Sequence, residues 1–374
     1  MQTFFNKYNF RLFVLIIFVS TDYFKYALGY NYTAYICLII MLVELFNLKT
    51  KFSNWEIQFL YFLSFITVIS ILTWDSLYSI NSYLGLIPVF WITKSFPIKY
   101  LKKFFKIIIL INLPIALYEY YYQMYLYEAI VTKNGEEIIL SFRELSGNVM
   151  RSKGIFAGPL TLANFALGAA LIFPKDKLIP ISAIIICLFC NARLGIMCCT
   201  AIYFFHHVKF KFTNFRVLFS FTVLLVIYYY LLDESGINRL FDVFNIESGN
   251  NSSRLKYMSS SITLFNDYPL KNILFGNSGA LLAQIGNNAE SGWLTLLVEN
   301  GIFGFSFYLL FFLDALKKSF KLKSENRLSL IILFAVMSIQ TYYLSIIGPL
   351  LFWLLVFKEN QNFKNRKIVK KLIL

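Results

Sequence analysis

Apolar residues gather in long runs near 11–29, 31–48, 56–74, 77–96, 104–127, 154–173, 178–191, 193–208, 215–232, 290–313, 328–345 and 347–357. A bilayer core about 30 Å thick is crossed by about 20 mostly apolar residues in a helix, and only a helix satisfies its own backbone there. No stretch shows the strand-like alternation of a membrane barrel. The pattern predicts an all-α fold: a polytopic transmembrane helix bundle of about 12 spans, forming one integral membrane domain over 1–374. The runs 178–191 and 347–357 are short and suit helices packed inside a bundle. Residues 11–29 end in Ala27-Leu28-Gly29, which looks like a signal-cleavage site. Asp22 and Lys25 interrupt the approach to it, so the run is read as the first span.

Two longer polar segments remain, about 128–153 and 233–289. Loops of that length in a packed protein usually carry function. In the second, Asn250-Asn251-Ser252-Ser253 reads as an N-cap cluster. Leu255, Met258, Ile262 and Phe265 follow at helical spacing, with Pro269 beyond. An amphipathic helix lying on the outer membrane face is expected there.

Composition agrees with the pattern. The chain has 374 residues, 58% of them hydrophobic and only 15% charged, whereas a soluble domain is about 45–50% apolar and about 25% charged. A soluble enzyme, a disordered chain and a secreted disulfide scaffold are excluded. The net charge of +15 would suggest nucleic acid in a soluble protein. Here most of the 35 Lys and Arg fall in alternate connections, with both termini on the basic side. That is the positive-inside bias, so the termini are expected in the cytoplasm and no nucleic-acid partner is invoked. The five cysteines lie in apolar runs and read as core or lipid-facing residues, although Cys187 and Cys190 form a Cys-x-x-Cys.

No phosphate-binding glycine loop and no Cys/His ligand spacing occurs, so neither cofactor nor metal is expected. His206 and His207 open a basic cytoplasmic loop and read as solvated. The expected outer face offers Arg151 and Lys153 before the sixth span, Arg193 between two short spans, and Arg254 with Lys256 and Tyr257 on the surface helix. Arginines so placed suit an anion; the plain alternative is anchoring to lipid phosphates. Glu290 opens the tenth span, either as a helix N-terminal charge or as a working carboxylate. Glu299 lies nine residues on, about 13 Å deeper, where an ionisable group is expected to face a partner or a wet cavity. Trp293 and Tyr257 suit anchoring at the lipid interface or, under the resemblance given next, stacking on sugars. Gly154 and Gly158 suggest close helix packing.

Three stretches resemble the O-antigen polymerase and O-antigen ligase superfamily of bacterial membrane glycosyltransferases. Arg151 through Ala170 is similar to its Arg-x-x-Gly-x-Phe-x-x-Pro run before an Ala-rich span. Ser252-Ser253-Arg254 through Gly279 resembles an outer-loop pattern with Asp-x-Pro and a Gly-rich turn. Glu290 through Phe305 resembles a signature ending in Glu-x-Gly-Ile-x-Gly. The resemblance implies about twelve helices, an extracytoplasmic site and an undecaprenyl diphosphate-linked oligosaccharide as substrate. It implies transfer to an acceptor glycan without cofactor or metal, in the bacterial cytoplasmic (inner) membrane. Membrane lipid and a chain-length regulator are the further expected partners. Arg151 and Arg254, with Arg193 and Lys153 in support, would hold the diphosphate, and Glu290 would be the general base. Ligases of the family usually carry a histidine where this chain has Glu290, which favours an O-antigen or capsule polymerase over a ligase. A flippase or transporter of the same lipid-linked unit is the rival from another class.

Overall fold

In the computed structural model, which describes residues 7–30, 32–48, 52–75, 83–128, 130–133, 136–139, 150–207, 249–340 and 347–373, nearly every apolar run carries helix. The expected span 215–232 lies outside the described residues. Helices run over Lys7–Val19 (α1), Thr21–Leu28 (α2), Thr33–Asn47 (α3), Asn54–Thr73 (α4), Leu86–Ser95 (α5), Ile98–Tyr122 (α6), Pro159–Ile172 (α7), Leu178–Phe189 (α8) and Arg193–His207 (α9). They continue as Gly249–Asn266 (α10), Leu270–Phe275 (α11), Gly292–Leu322 (α12), Arg327–Ile339 (α13) and Ile347–Ile373 (α14). An antiparallel hairpin, Ile130–Lys133 (β1) with Glu136–Ile139 (β2), stands in the first long polar segment. Sequence pattern did not foresee it.

Among the described residues two helices, α4 and α12, are long and apolar enough to cross a membrane. The expected first span is two helices, α1 and α2, which meet at Ser20. The polar residues Asp22 and Lys25 fall in the second piece, and Gly29, with φ of 74°, ends it. The last expected span instead continues through its basic tail to Ile373.

The chain divides into two compact units, one of Met1–Ile40 and Phe96–Asn245, the other of Met41–Ser95 and Ile246–Leu374. In the first, Ala163, Ala166, Ala169 and Ala170 line the buried side of α7, and small residues let α7, α8 and α9 approach closely. Phe104, Phe105, Phe156, Phe165 and Phe173 fill the space against α6. Gly154 and Gly158 precede α7 rather than lying within it; Gly158 is its N-cap and Pro159 its first residue. His206 and His207 are half-buried at the end of α9, and His207 pairs with the Pro174 carbonyl at 3.1 Å.

The core of the second unit is aromatic. Phe59 meets Phe90, Phe307, Phe311, Trp353 and Phe357 at ring separations of 4.8–5.6 Å. Rings in such edge-on and tilted contacts add to the energy of burial. A capping box of Ser53 and Glu56 starts α4, and Glu56 also pairs with Lys94 at 2.7 Å.

Candidate functional site

The first unit holds Arg151 and Lys153 in a loop that enters its interior. Glu119, on α6, gathers the loop: its Oε2 accepts from the Lys153 and Gly154 amides at 2.8 and 2.9 Å, and its Oε1 from Leu126 at 3.2 Å. Asn112 Oδ1 accepts from Ile155, and Asp22 from Ala157. Ser152 donates to the Ala116 carbonyl at 2.7 Å. Backbone amides that would otherwise be stranded without water are satisfied by helix side chains, which is why the loop can be buried.

The sequence expectation placed Arg151 and Lys153 on a wet outer surface. Both are buried instead, Lys153 completely. The Arg151 Nε donates to the Cys190 carbonyl at 2.9 Å, tying the loop to the turn between α8 and α9. The Lys153 ammonium lies over the Tyr127 ring, 3.2 Å from its centre. Burial pushes the lysine down to about 8, against the opposing pull of the Glu119, Asp22 and Glu128 carboxylates. Arg193 is the first residue of α9 and is half-buried.

In the second unit two expected residues meet. Arg254, on α10, lies with its Nε 3.6 Å from Glu290 Oε2, and both side chains keep solvent exposure, 49% and 23%. Glu290 has φ of 56°, a left-handed conformation that costs a residue with a Cβ about 1 kcal/mol or more. The next residue, Ser291, caps α12 and also donates to the Met337 carbonyl, while the Gly292 amide donates to Gln340. The start of α12 is thus docked on the end of α13, which fixes where Glu290 can stand.

The second long segment differs from expectation in its helix. α10 begins at Gly249, so Asn250-Asn251-Ser252-Ser253 lies inside its first turns rather than capping it. Met258 and Phe265 are half-buried, but Leu255 and Ile262 are 55% and 51% exposed. The packed face runs through Tyr257, Met258, Ser261, Leu264 and Phe265 instead. Lys256 is exposed, and Tyr257 is half-buried on the packed side.

Trp293, expected to stack on a sugar or at the lipid interface, is buried among Phe305, Phe312, Phe334 and Phe352, and its Nε1 donates to the Phe334 carbonyl. It builds the core. Glu299 is buried as expected of a deep carboxylate, and its Oε2 accepts from the Gly279 amide at 2.6 Å. The helix breaks two residues later, at Gly301, with φ of 64° and ψ of −174°.

Sequence reasoning missed Glu119, Asn112 and Asp22. A signal existed for the first two, because Asn112, Ala116 and Glu119 recur at helical spacing within an otherwise apolar run. It missed Asp75, Tyr83, Tyr268, Asn272 and Asn277, which gather near the break in α12 from separate segments; no local spacing connects them. Compared with known protein families and with curated proteins, the chain matches no family model and no curated protein.

Proposed function

We propose that the chain is a multi-pass membrane glycosyltransferase of the bacterial cytoplasmic membrane, a polymerase of polysaccharide repeat units. It transfers glycan from an undecaprenyl diphosphate carrier to an acceptor glycan on the extracytoplasmic face of that membrane, as in O-antigen or capsule synthesis. The observation that carries this reading is the partly exposed pair of Arg254, on α10, and Glu290, just before α12, 3.6 Å apart. In the reaction the acceptor hydroxyl oxygen bonds to the anomeric carbon, and Glu290 takes the hydroxyl proton. The bond from that carbon to the carrier diphosphate breaks, and its electron pair leaves on the diphosphate oxygen. Arg254 stabilises the charge developing there. Arg151, bonded to Cys190 inside the first unit, is assigned to holding its loop rather than to gripping the carrier.

Arg254→Ala and Glu290→Gln, with expression verified, are each expected to cut elongation at least about a hundredfold. The measurement is the ladder of glycan lengths made by cells. Wild-type chain lengths from either variant would remove that residue from the mechanism. In a deletion strain single-repeat products support a polymerase, whereas full-length chains stranded on the carrier point to a ligase.

A transporter of the lipid-linked unit is the second reading, and the broken helix α12 favours it, because transporters often build sites at interrupted helices. Precursor accumulating on the cytoplasmic leaflet of the deletion strain would select that reading.

A further inference from the structure

The break in α12 is built from two glycines that face each other. Gly301 (φ 64°) and Gly276 (φ 76°, ψ −175°) both adopt an extended left-handed conformation that only glycine takes readily. A Cβ on Gly276 would overlap the backbone of Glu299 and Asn300, and one on Gly301 would overlap Gly276 and the Leu274 carbonyl group. The segment 274–276 therefore lies directly against the interrupted helix. Asn277 continues the contact, donating its amide to the Val298 carbonyl at 3.2 Å. The residues before the break present a helix C-terminal end, which carries partial negative charge.

Several polar side chains lie on the segments that meet here. The buried Glu299 carboxylate holds Gly279. The Tyr268 hydroxyl is buried without a hydrogen-bond partner and lies in the electrostatic reach of Glu299 and Asp75. Burial first, and those carboxylates second, hold the phenol above its ordinary range, so its oxygen stays neutral. Asn272 Oδ1, on α11 beside the crossing segment, is likewise buried and accepts no hydrogen bond. Asp75 stands exposed at the rim and binds Asn277 at 2.9 Å. On the other side Tyr83 donates to Asn300 Oδ1 at 3.0 Å. The Asn300 Nδ2 has no acceptor and, as a donor, is no ligand.

We propose that this break binds a small alkali cation of the sodium class, with Glu299, Tyr268 and Asn272 as its side-chain ligands. Two buried oxygens without donors are costly as they stand, and a hard cation satisfies both together with the carboxylate. The ligands are all oxygen, which excludes a soft metal. A helix C-terminus at an interruption in a membrane helix is the setting in which sodium is coordinated.

The test uses the full chain purified in detergent, with thermal unfolding followed in NaCl, KCl, MgCl2 and choline chloride at constant ionic strength. Sodium is expected to raise the unfolding midpoint saturably over choline. Tyr268→Phe removes one oxygen and is expected to raise the half-saturating sodium concentration about tenfold or more; Glu299→Gln is expected to abolish the effect. Where Glu299→Gln does not fold, Asn272→Ala supplies the second variant, with the same direction expected. Equal midpoints in all salts overturn the proposal, as does protection by magnesium alone or a sodium response unchanged in Tyr268→Phe. No glycan enters the measurement, so the outcome is independent of the polymerase reading.

Discussion

Two glycines and one lysine set the strongest constraints at the scale of single residues. Gly276 and Gly301 combine an unusual backbone with no room for a Cβ. Alanine at either is expected to destabilise the fold by more than about 3 kcal/mol. Thermal unfolding checks this, and a loss under about 1 kcal/mol would show that the crossing relaxes freely. Lys153 makes a prediction in pH. Its folded value of about 8 lies below the ordinary 10.5, so between these values the unfolded chain binds the extra proton. Stability should therefore rise with pH across that window, while below about 8 the penalty of burying the charge stands in full. Lys153→Met should flatten the rise and stabilise the protein near pH 7 by on the order of 1–3 kcal/mol. A variant with the wild-type slope would show that another group titrates there.

Helices form where apolar runs occur, because a local run suffices to specify a helix that removes its apolar surface from water. The ends and faces of those helices answer to other forces. α10 illustrates the difference. Its existence was legible in the spacing of Leu255, Met258, Ile262 and Phe265, but its packed face was not. Leu264 and Phe265 pack against the cluster around Tyr268, Leu281 and Val298, and Tyr257, Met258 and Ser261 are the other covered positions. Rotation of the helix is fixed by what lies beneath it. Phe265→Ala should cost about 2–4 kcal/mol, whereas Leu255→Ala should stay within about 0.5 kcal/mol. Comparison of the two unfolding midpoints decides it, and equal losses would refute the assignment of faces.

For the whole molecule, the distribution of basic residues makes a claim about sidedness. Arg254 belongs to the expected outer segment and Lys367 to the basic C-terminal tail. Cysteine introduced at each position should react differently with a membrane-impermeant maleimide on intact cells. Arg254→Cys should label from outside, and Lys367→Cys only after permeabilisation. Native Cys37, Cys187, Cys190 and Cys199 are buried and interfere little, and the half-buried Cys198 is first replaced by serine. Labelling of position 254 only from within would end the proposed extracytoplasmic chemistry.

The helical segments, two of them long and apolar enough to cross a membrane, were readable from residue order, whereas Arg254 and Glu290 were each singled out there but not as neighbours. Hydropathy and charge act through sums over neighbouring residues, and such sums survive without knowledge of the fold. The burial of Arg151 and Lys153, the break in α12 and the packing of Trp293 were not readable. Each depends on partners far away in the chain: Glu119 receiving a loop some 30 residues on, a glycine at 276 meeting one at 301, and phenylalanines from three helices enclosing an indole. Only tertiary packing brings those atoms within reach, because short-range forces between distant residues act only after the chain has closed upon itself.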